Sequence, residues 1–337
     1  MTLKPIRFLA YLFLSTLSLG IFSCKNQENK NKDDKKLKAE TEQQAEPFFK
    51  ISLAQWSLHK PIMAGELDPM DFAEKANEMG FEGIEYVSGF YAEKIKDAEN
   101  PEKAMQETLD TLKAKSEEFK VENVLIMVDG EGELAAVDKT EREQAVENHK
   151  KWVDAAQFLG AHAIRVNLFG AEEPEEWKKS SISGLKMLSE YAKEKDINIL
   201  VENHGYLSSN AKLLVEVMEG VNMDNCGTLP DFGNFCLKRE GGERWEAECV
   251  EEYPKYQGIK EMMPYAKAVS AKSYDFNEQG QETTLDYERI MKIVKDAGYT
   301  GFVGVEYEGE NLSPEKGIMA TKELLMKVGS ELNNNAQ

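Results

Sequence analysis

The chain has 337 residues, with 41 lysines and arginines against 61 aspartates and glutamates, a formal net charge of −20 at pH 7. A surface this acidic repels a phosphate backbone and argues against nucleic acid as a partner. Of the four cysteines, Cys226, Cys236 and Cys249 lack CxxC spacing and are expected as packing residues, neither a disulfide framework nor a zinc site.

In chain order, residues 1–23 run from Lys4 and Arg7 through the apolar FLAYLFLSTLSLGIF to Ser23. That is a signal peptide: a charged start, an apolar run too short for a comfortable membrane span, and a small residue before the cut. Cys24, directly after Ser23, resembles the lipobox of bacterial lipoproteins, although Phe22 stands where a smaller residue is usual. The resemblance implies lipidation of Cys24 and a membrane anchored through that lipid alone. An ordinary secretory signal would export the protein equally, so the expected location is the periplasm or the cell surface. By the same resemblance, KDD at Lys32 to Asp34 favours the cell surface. Residues 24–46 contain almost nothing that could be buried and read as a solvated tether. Loss of Lys4 and Arg7 with the signal would take the net charge from −20 to −22.

Residues 47–330 are enough for one barrel-sized domain. Short apolar runs recur near 49–54, 81–87, 121–128, 162–168, 197–201, 225–230, 267–273 and 301–305. Between them lie amphipathic helical patterns such as DPMDFAEKANEMG, REQAVENHKKWVDAAQFLG and LDYERIMKIVKDAG, several ending at glycine. Alternating strand and helix means a parallel sheet, and eight units favour a closed (β/α)8 TIM barrel over a doubly wound α/β sheet. The first strand is followed by SLAQWSLHKP, where a doubly wound fold would carry a glycine-rich phosphate loop.

Chemistry in such a barrel gathers at the carboxyl ends of the strands. There the chain places Gln55, Glu85, Arg165, Asn167, the triplet Glu202, Asn203 and His204, then Asp231, Asn234, Lys272, Glu306 and Glu308. A lone strand-end acid is as readily a helix cap or an ion-pair partner, and Asp231 is also a natural turn residue before Gly233. Three acids brought together are different: Glu202, Asp231 and Glu306 cannot all be ionised side by side without a cation. A hard divalent metal with oxygen ligands, Mn²⁺, Mg²⁺ or Co²⁺, is the simplest one. Trp56 and Phe232 near the mouth could wall a sugar ring, but aromatic residues beside a barrel are more often core; His59 is expected on a loop and His149 on an exposed helix face.

VENHG at 201–205, PDFGNF at 230–235 and GYTGFVGVEYEG at 298–309 resemble the xylose isomerase-like barrels, the sugar isomerase and epimerase superfamily. The resemblance spans about residues 48–328. It implies that Glu202, Asp231 and Glu306 hold one divalent metal, and that Glu202 and Glu306 are the acid–base pair. The sequence departs from the family at Lys272, which stands where a histidine ligand is usual, and at Asn234, which replaces another histidine. An ammonium is a poor ligand, so Lys272 is instead a candidate cation balancing the acids. His204 and Lys272 are then expected in catalysis, and Arg165, Asn167, Glu85 and Asn234 as contacts to a small carbohydrate.

The expected reaction is isomerisation or epimerisation of an unphosphorylated sugar by metal-assisted proton transfer. Elimination or hydration of 3-keto-glycosides is the enzymatic alternative, and a non-catalytic sugar-binding lipoprotein the third. An abasic-site endonuclease, which shares the barrel, is disfavoured by charge. A homo-oligomer is compatible with all of these readings.

Overall fold

The computed structural model describes residues 46–242, 245 and 247–334. The signal peptide, Cys24 and nearly all of the tether therefore lie outside the described residues. Ten strands follow one another: β1 (Lys50–Ala54), β2 (Gly83–Val87), β3 (Glu122–Met127), β4 (Ala163–Val166), β5 (Asn198–Glu202), β6 (Cys226–Leu229), β7 (Cys236–Arg239), β8 (Cys249–Glu252), β9 (Val269–Ser273) and β10 (Phe302–Tyr307). Eight of them form one sheet in the order β6-β5-β4-β3-β2-β1-β10-β9, every pairing parallel. Bridges between Thr228 and Ala266 and between Asp231 and Ser270 draw its two edges together. The eight expected runs are these eight strands, with helices between them.

A period of two decides what enters the barrel. On β5, Ile199 and Val201 join the large apolar cluster, while Leu200 belongs to the smaller one. Glu202 shares the parity of Leu200. Likewise, Val269 and Ala271 of β9 point opposite to Ser270 and Lys272, and Val303 and Val305 of β10 opposite to Gly304 and Glu306. The apolar residues on the other parity pack beneath helices such as Pro101–Phe119, Lys139–Leu159 and Pro174–Lys193. Sequence-local signals bound these helices: Asn100 and Asp138 accept first-turn amide protons, and Gly160 ends its helix at φ 77°.

The antiparallel pair β7 and β8 has no counterpart among the expected elements, and it corrects the cysteine reading. Cys236 and Cys249 form a disulfide, leaving Cys226 free and buried. A sequence separation of 13 hides the pairing from a search for short spacings; the hairpin alone brings the two Cα atoms to 5.8 Å. Burial overturns one further expectation, for His149, and decides the alternatives for Phe232. Phe232 is fully buried against Tyr287, away from the mouth, and His149 is a core residue bonded through Nδ1 to the Ala145 carbonyl. His59 opens a short helix, His59–Met63, and its ring stacks on Trp56. Among the described residues no helix is long and apolar enough to cross a membrane.

Candidate active site

Four strand ends deliver the central cluster. Glu202 closes β5, Asp231 follows β6, Lys272 lies in β9, and Glu306 is its direct partner in β10. Glu202, Asp231 and Glu306 each offer a carboxylate oxygen within 4.8 Å of the other two, and all three side chains are buried. Asp231 is the most firmly held: Oδ1 accepts from the amides of Gly233 and Asn234 at 2.9 and 2.8 Å, and Oδ2 from Ser270 Oγ at 2.6 Å. Ser270 also lies 3.2 Å from Glu306 Oε2. Asn234 Nδ2 donates to Glu202 Oε1 at 3.2 Å.

Two cations flank the acids. Arg165 Nε is 2.9 Å from Glu202 Oε2, and its NH1 is 2.8 Å from Asp129. Lys272 Nζ is 3.0 Å from Glu306 and 3.2 Å from Glu308. Burial pulls the lysine pKa down, but Glu306, Glu308 and Asp231 outweigh it and hold the ammonium well above its ordinary value. The acids remain under-compensated. Burial raises Glu202 to about 7 against the pull of Arg165, and raises Asp231 to about 8 against the pull of Lys272.

That imbalance is the test of metal fit. Three converging hard oxygen donors with uncompensated negative charge fit a hard divalent cation. Lys272 supplies charge but no lone pair, so the donor set from these strands is carboxylate only.

The remaining predicted residues divide. Arg165, Asn167, His204 and Asn234 line one cavity of about 940 Å³ together with Lys272 and Glu306. Glu85, expected as a substrate contact, lies deeper and is not among the lining residues. It accepts from Ser52 Oγ at 2.6 Å, and Gly304 makes room for it, since a Cβ there would stand 2.4 Å from Glu85 Oε1. Asn167 donates from Nδ2 to Asp129 at 2.6 Å, and its Oδ1 is 2.7 Å from His204 Nδ1. An ionised Asp129 only accepts, so the amide orientation is fixed and His204 must carry its proton on Nδ1. Burial, with Arg165 and Lys272, lowers the imidazole to about 4, keeping it neutral.

Sequence reasoning passed over Asp129, Phe90, Phe169, Arg239 and Trp245, all of which line the cavity. Asp129 follows β3, where the strand-end rule applied to Glu202 could have found it. Phe169 likewise lies shortly after β4, whereas Arg239 and Trp245 belong to the unexpected excursion. Trp56 does line the mouth, stacked on Phe90, and its Nε1 donates to Glu308 at 2.5 Å.

A barrel of eight parallel strands with its polar groups converging at the strand ends defines the class, and the sequence places the chain within it. Residues 73–328 match the model of the xylose isomerase-like TIM barrel family, and the chain belongs to that family. Similar solved structures include the 3-keto-D-glucoside 4-epimerase YcjR from E. coli, at 13% identity and TM-score 0.59 over 77% of this chain and 94% of that one. A D-tagatose 3-epimerase-like protein is 16% identical with TM-score 0.62 over 86% and 100%. A xylose isomerase-like TIM barrel protein from Mycobacterium smegmatis, in complex with magnesium, is 17% identical with TM-score 0.56 over 84% and 97%. At these identities the likeness is one of fold. No curated protein matches the sequence.

Proposed function

We propose that the protein is a sugar isomerase or epimerase that moves a proton on a carbon adjacent to a carbonyl, in an unphosphorylated carbohydrate. The observation that carries this reading is the convergence of Glu202, Asp231 and Glu306 within 4.8 Å at the strand ends, with Glu306 lining the cavity and Lys272 and Arg165, which also line it, against the acids. The likeness to a 3-keto-D-glucoside 4-epimerase and to a D-tagatose 3-epimerase-like protein supports it.

Glu202, Asp231 and Glu306 would hold a divalent metal, which supplies polarisation of a carbonyl and its neighbouring hydroxyl when bound. The chain's own residues do the rest. Glu306 lines the cavity from β10 and Glu202 lies behind it at the end of β5, so in this reading one carboxylate takes the carbon-bound proton and the other returns it. The Lys272 ammonium stabilises the developing enediolate oxygen as a fixed positive charge. His204, neutral with Nε2 free of its proton, accepts from a sugar hydroxyl, and Arg165 holds Glu202 in place.

Asp129, Glu131, Glu306 and Glu308 in the cavity lining disfavour a phosphorylated substrate. Export is part of the proposal: the leader-like N-terminus suggests it, and the Cys236–Cys249 disulfide supports an oxidising compartment.

The test is solvent-deuterium exchange. Protein reloaded with Mn²⁺ is incubated in D₂O with unphosphorylated ketoses and 3-keto-glycosides, and exchange at a carbon beside the carbonyl is read by NMR. Exchange that disappears in Glu306→Gln is expected; none across the panel would overturn the reading. A product with new ultraviolet absorbance would show elimination in place of epimerisation.

A further inference from the structure

The β7–β8 excursion returns toward the barrel mouth. The Cys236–Cys249 disulfide crosslinks its two strands, and Arg239 NH1 donates to the Ala247 carbonyl at 2.6 Å, tying β7 to the segment that carries Trp245. The Trp245 ring centroid lies 4.8 Å from that of His204 and 5.8 Å from that of Phe169. The same tryptophan is 47% exposed. A large ring anchored on two neighbours, with half its surface open at the rim of a cavity, has a face left for a ligand.

The wall on the other side of the barrel order is also aromatic. Trp56 and Phe90, from the ends of β1 and β2, stack at 5.9 Å with an interplanar angle of 9°, and exposed Met63 lies beside them along the lining. Lys272 and Glu306 come to the lining from within β9 and β10, whereas Trp56, Phe90 and Trp245 come from segments beyond the strands. A single hexose engaging Glu202, Lys272 and Glu306 would fill only part of about 940 Å³ and leave the rim uncovered. Pyranose rings pair apolar C–H faces with polar edges, which matches a lining of both aromatic and charged groups.

We propose that Trp245, braced by the disulfide-closed hairpin, is the platform of a distal sugar subsite, and that the substrate is a glycoside of at least two rings. The reacting ring lies against Lys272 and Glu306 and the second ring against Trp245. This rests on the reading above, in which the reacting ring sits over Glu202, Asp231 and Glu306.

Binding separates the two ideas. Glucose, cellobiose, maltose, laminaribiose and sophorose are titrated calorimetrically into the full-length protein, and saturation-transfer NMR maps which ring touches it. At least one disaccharide is expected to bind about tenfold more tightly than glucose, with saturation on both rings. In Trp245→Ala that affinity ratio should fall to about one, and Trp245→Phe should restore most of it. The Cys236→Ser, Cys249→Ser double variant should lower the ratio as well. No disaccharide exceeding glucose, or a ratio unchanged in Trp245→Ala, would overturn the subsite. A ratio that collapses as expected, alongside no deuterium exchange with any carbonyl sugar, would instead overturn the isomerase reading and leave the subsite standing.

Discussion

The ammonium of Lys272 lies 3.0 Å from a carboxylate oxygen of Glu306, its direct neighbour across the β9–β10 ladder. Both side chains are buried, and Glu308 stands on the far side of the ammonium at 3.2 Å. A cation so placed is a fixed electrophile. Replacing it with methionine should lower turnover by about 10²–10³, the usual cost of removing one charge-stabilising donor. It should also lower stability, since Glu306 loses its partner, but the fold should persist by circular dichroism. Because the acids keep the amine protonated, borohydride added with a ketose should trap no adduct on Lys272. Undiminished turnover in Lys272→Met, or a trapped adduct, contradicts the role.

The tautomer of His204 follows from a chain of contacts that begins at Asp129. Asp129 takes the Asn167 amide protons, Asn167 Oδ1 faces His204 Nδ1, and Nε2 is left as an acceptor. Nitrogen-15 NMR of histidine-labelled protein should show His204 as the Nδ1–H form in wild type. Asn167→Leu should lose that preference and about 10-fold in kcat/KM, the order expected for a mispositioned hydrogen-bonding group. An Nε2–H signal in the wild-type protein would remove the basis for this assignment.

Glu85 gives a prediction about stability and pH. Burial, opposed by the Ser52 hydrogen bond, raises its carboxyl to about 8 from an ordinary 4.5. Between those values the folded protein holds a proton that the unfolded chain has released, so this group's stabilising contribution is fullest below 4.5 and declines as pH rises to about 8. Glu85→Gln keeps the shape and a hydrogen-bonding head without that proton. It should therefore be more stable than wild type at pH 9, by on the order of 2 kcal/mol, with the advantage shrinking toward pH 5. Parallel melting curves at the two pH values decide it; an advantage that grows on acidification would reverse the sign and refute the account.

How much of this was legible beforehand depends on the range of the interaction. Runs such as INILV are local and buried on both sides, so the strands could be found, and residue parity then placed Glu202, Lys272 and Glu306 inside. Lys272 was legible as a substituted ligand position, although its two carboxylate partners became specific only through the β9–β10 register. Glu85 looked like its neighbours in the strand-end set, but three-dimensional depth decides its role: it lies in β2 beside Ser52 of β1, one layer too low for the cavity. The disulfide and Trp245 were out of reach because β7 and β8 are short and without strong periodicity, β7 half-buried and β8 exposed. Nothing in CLKR or CVEE announces that the segment between them turns back over the mouth.

The cation requirement of the acid cluster can be tested at Asp231 apart from any activity. Its Oδ1 serves two backbone amides and its Oδ2 serves Ser270, an arrangement asparagine can largely reproduce because the serine hydroxyl can accept as well as donate. Asp231→Asn should therefore fold, and losing a buried acid whose pKa burial raises to about 8 should leave the apo protein at least as stable at neutral pH. What it cannot reproduce is the third negative charge facing Glu202 and Glu306. Elemental analysis of wild-type protein dialysed against Mn²⁺ should give about one ion per chain, and the variant less than about a tenth of that. Wild type should also melt at higher temperature with added Mn²⁺, while the variant should not, because only the native state assembles the three donors. Equal Mn²⁺ content in the two proteins would show that the ion, wherever it binds, is not held by this cluster.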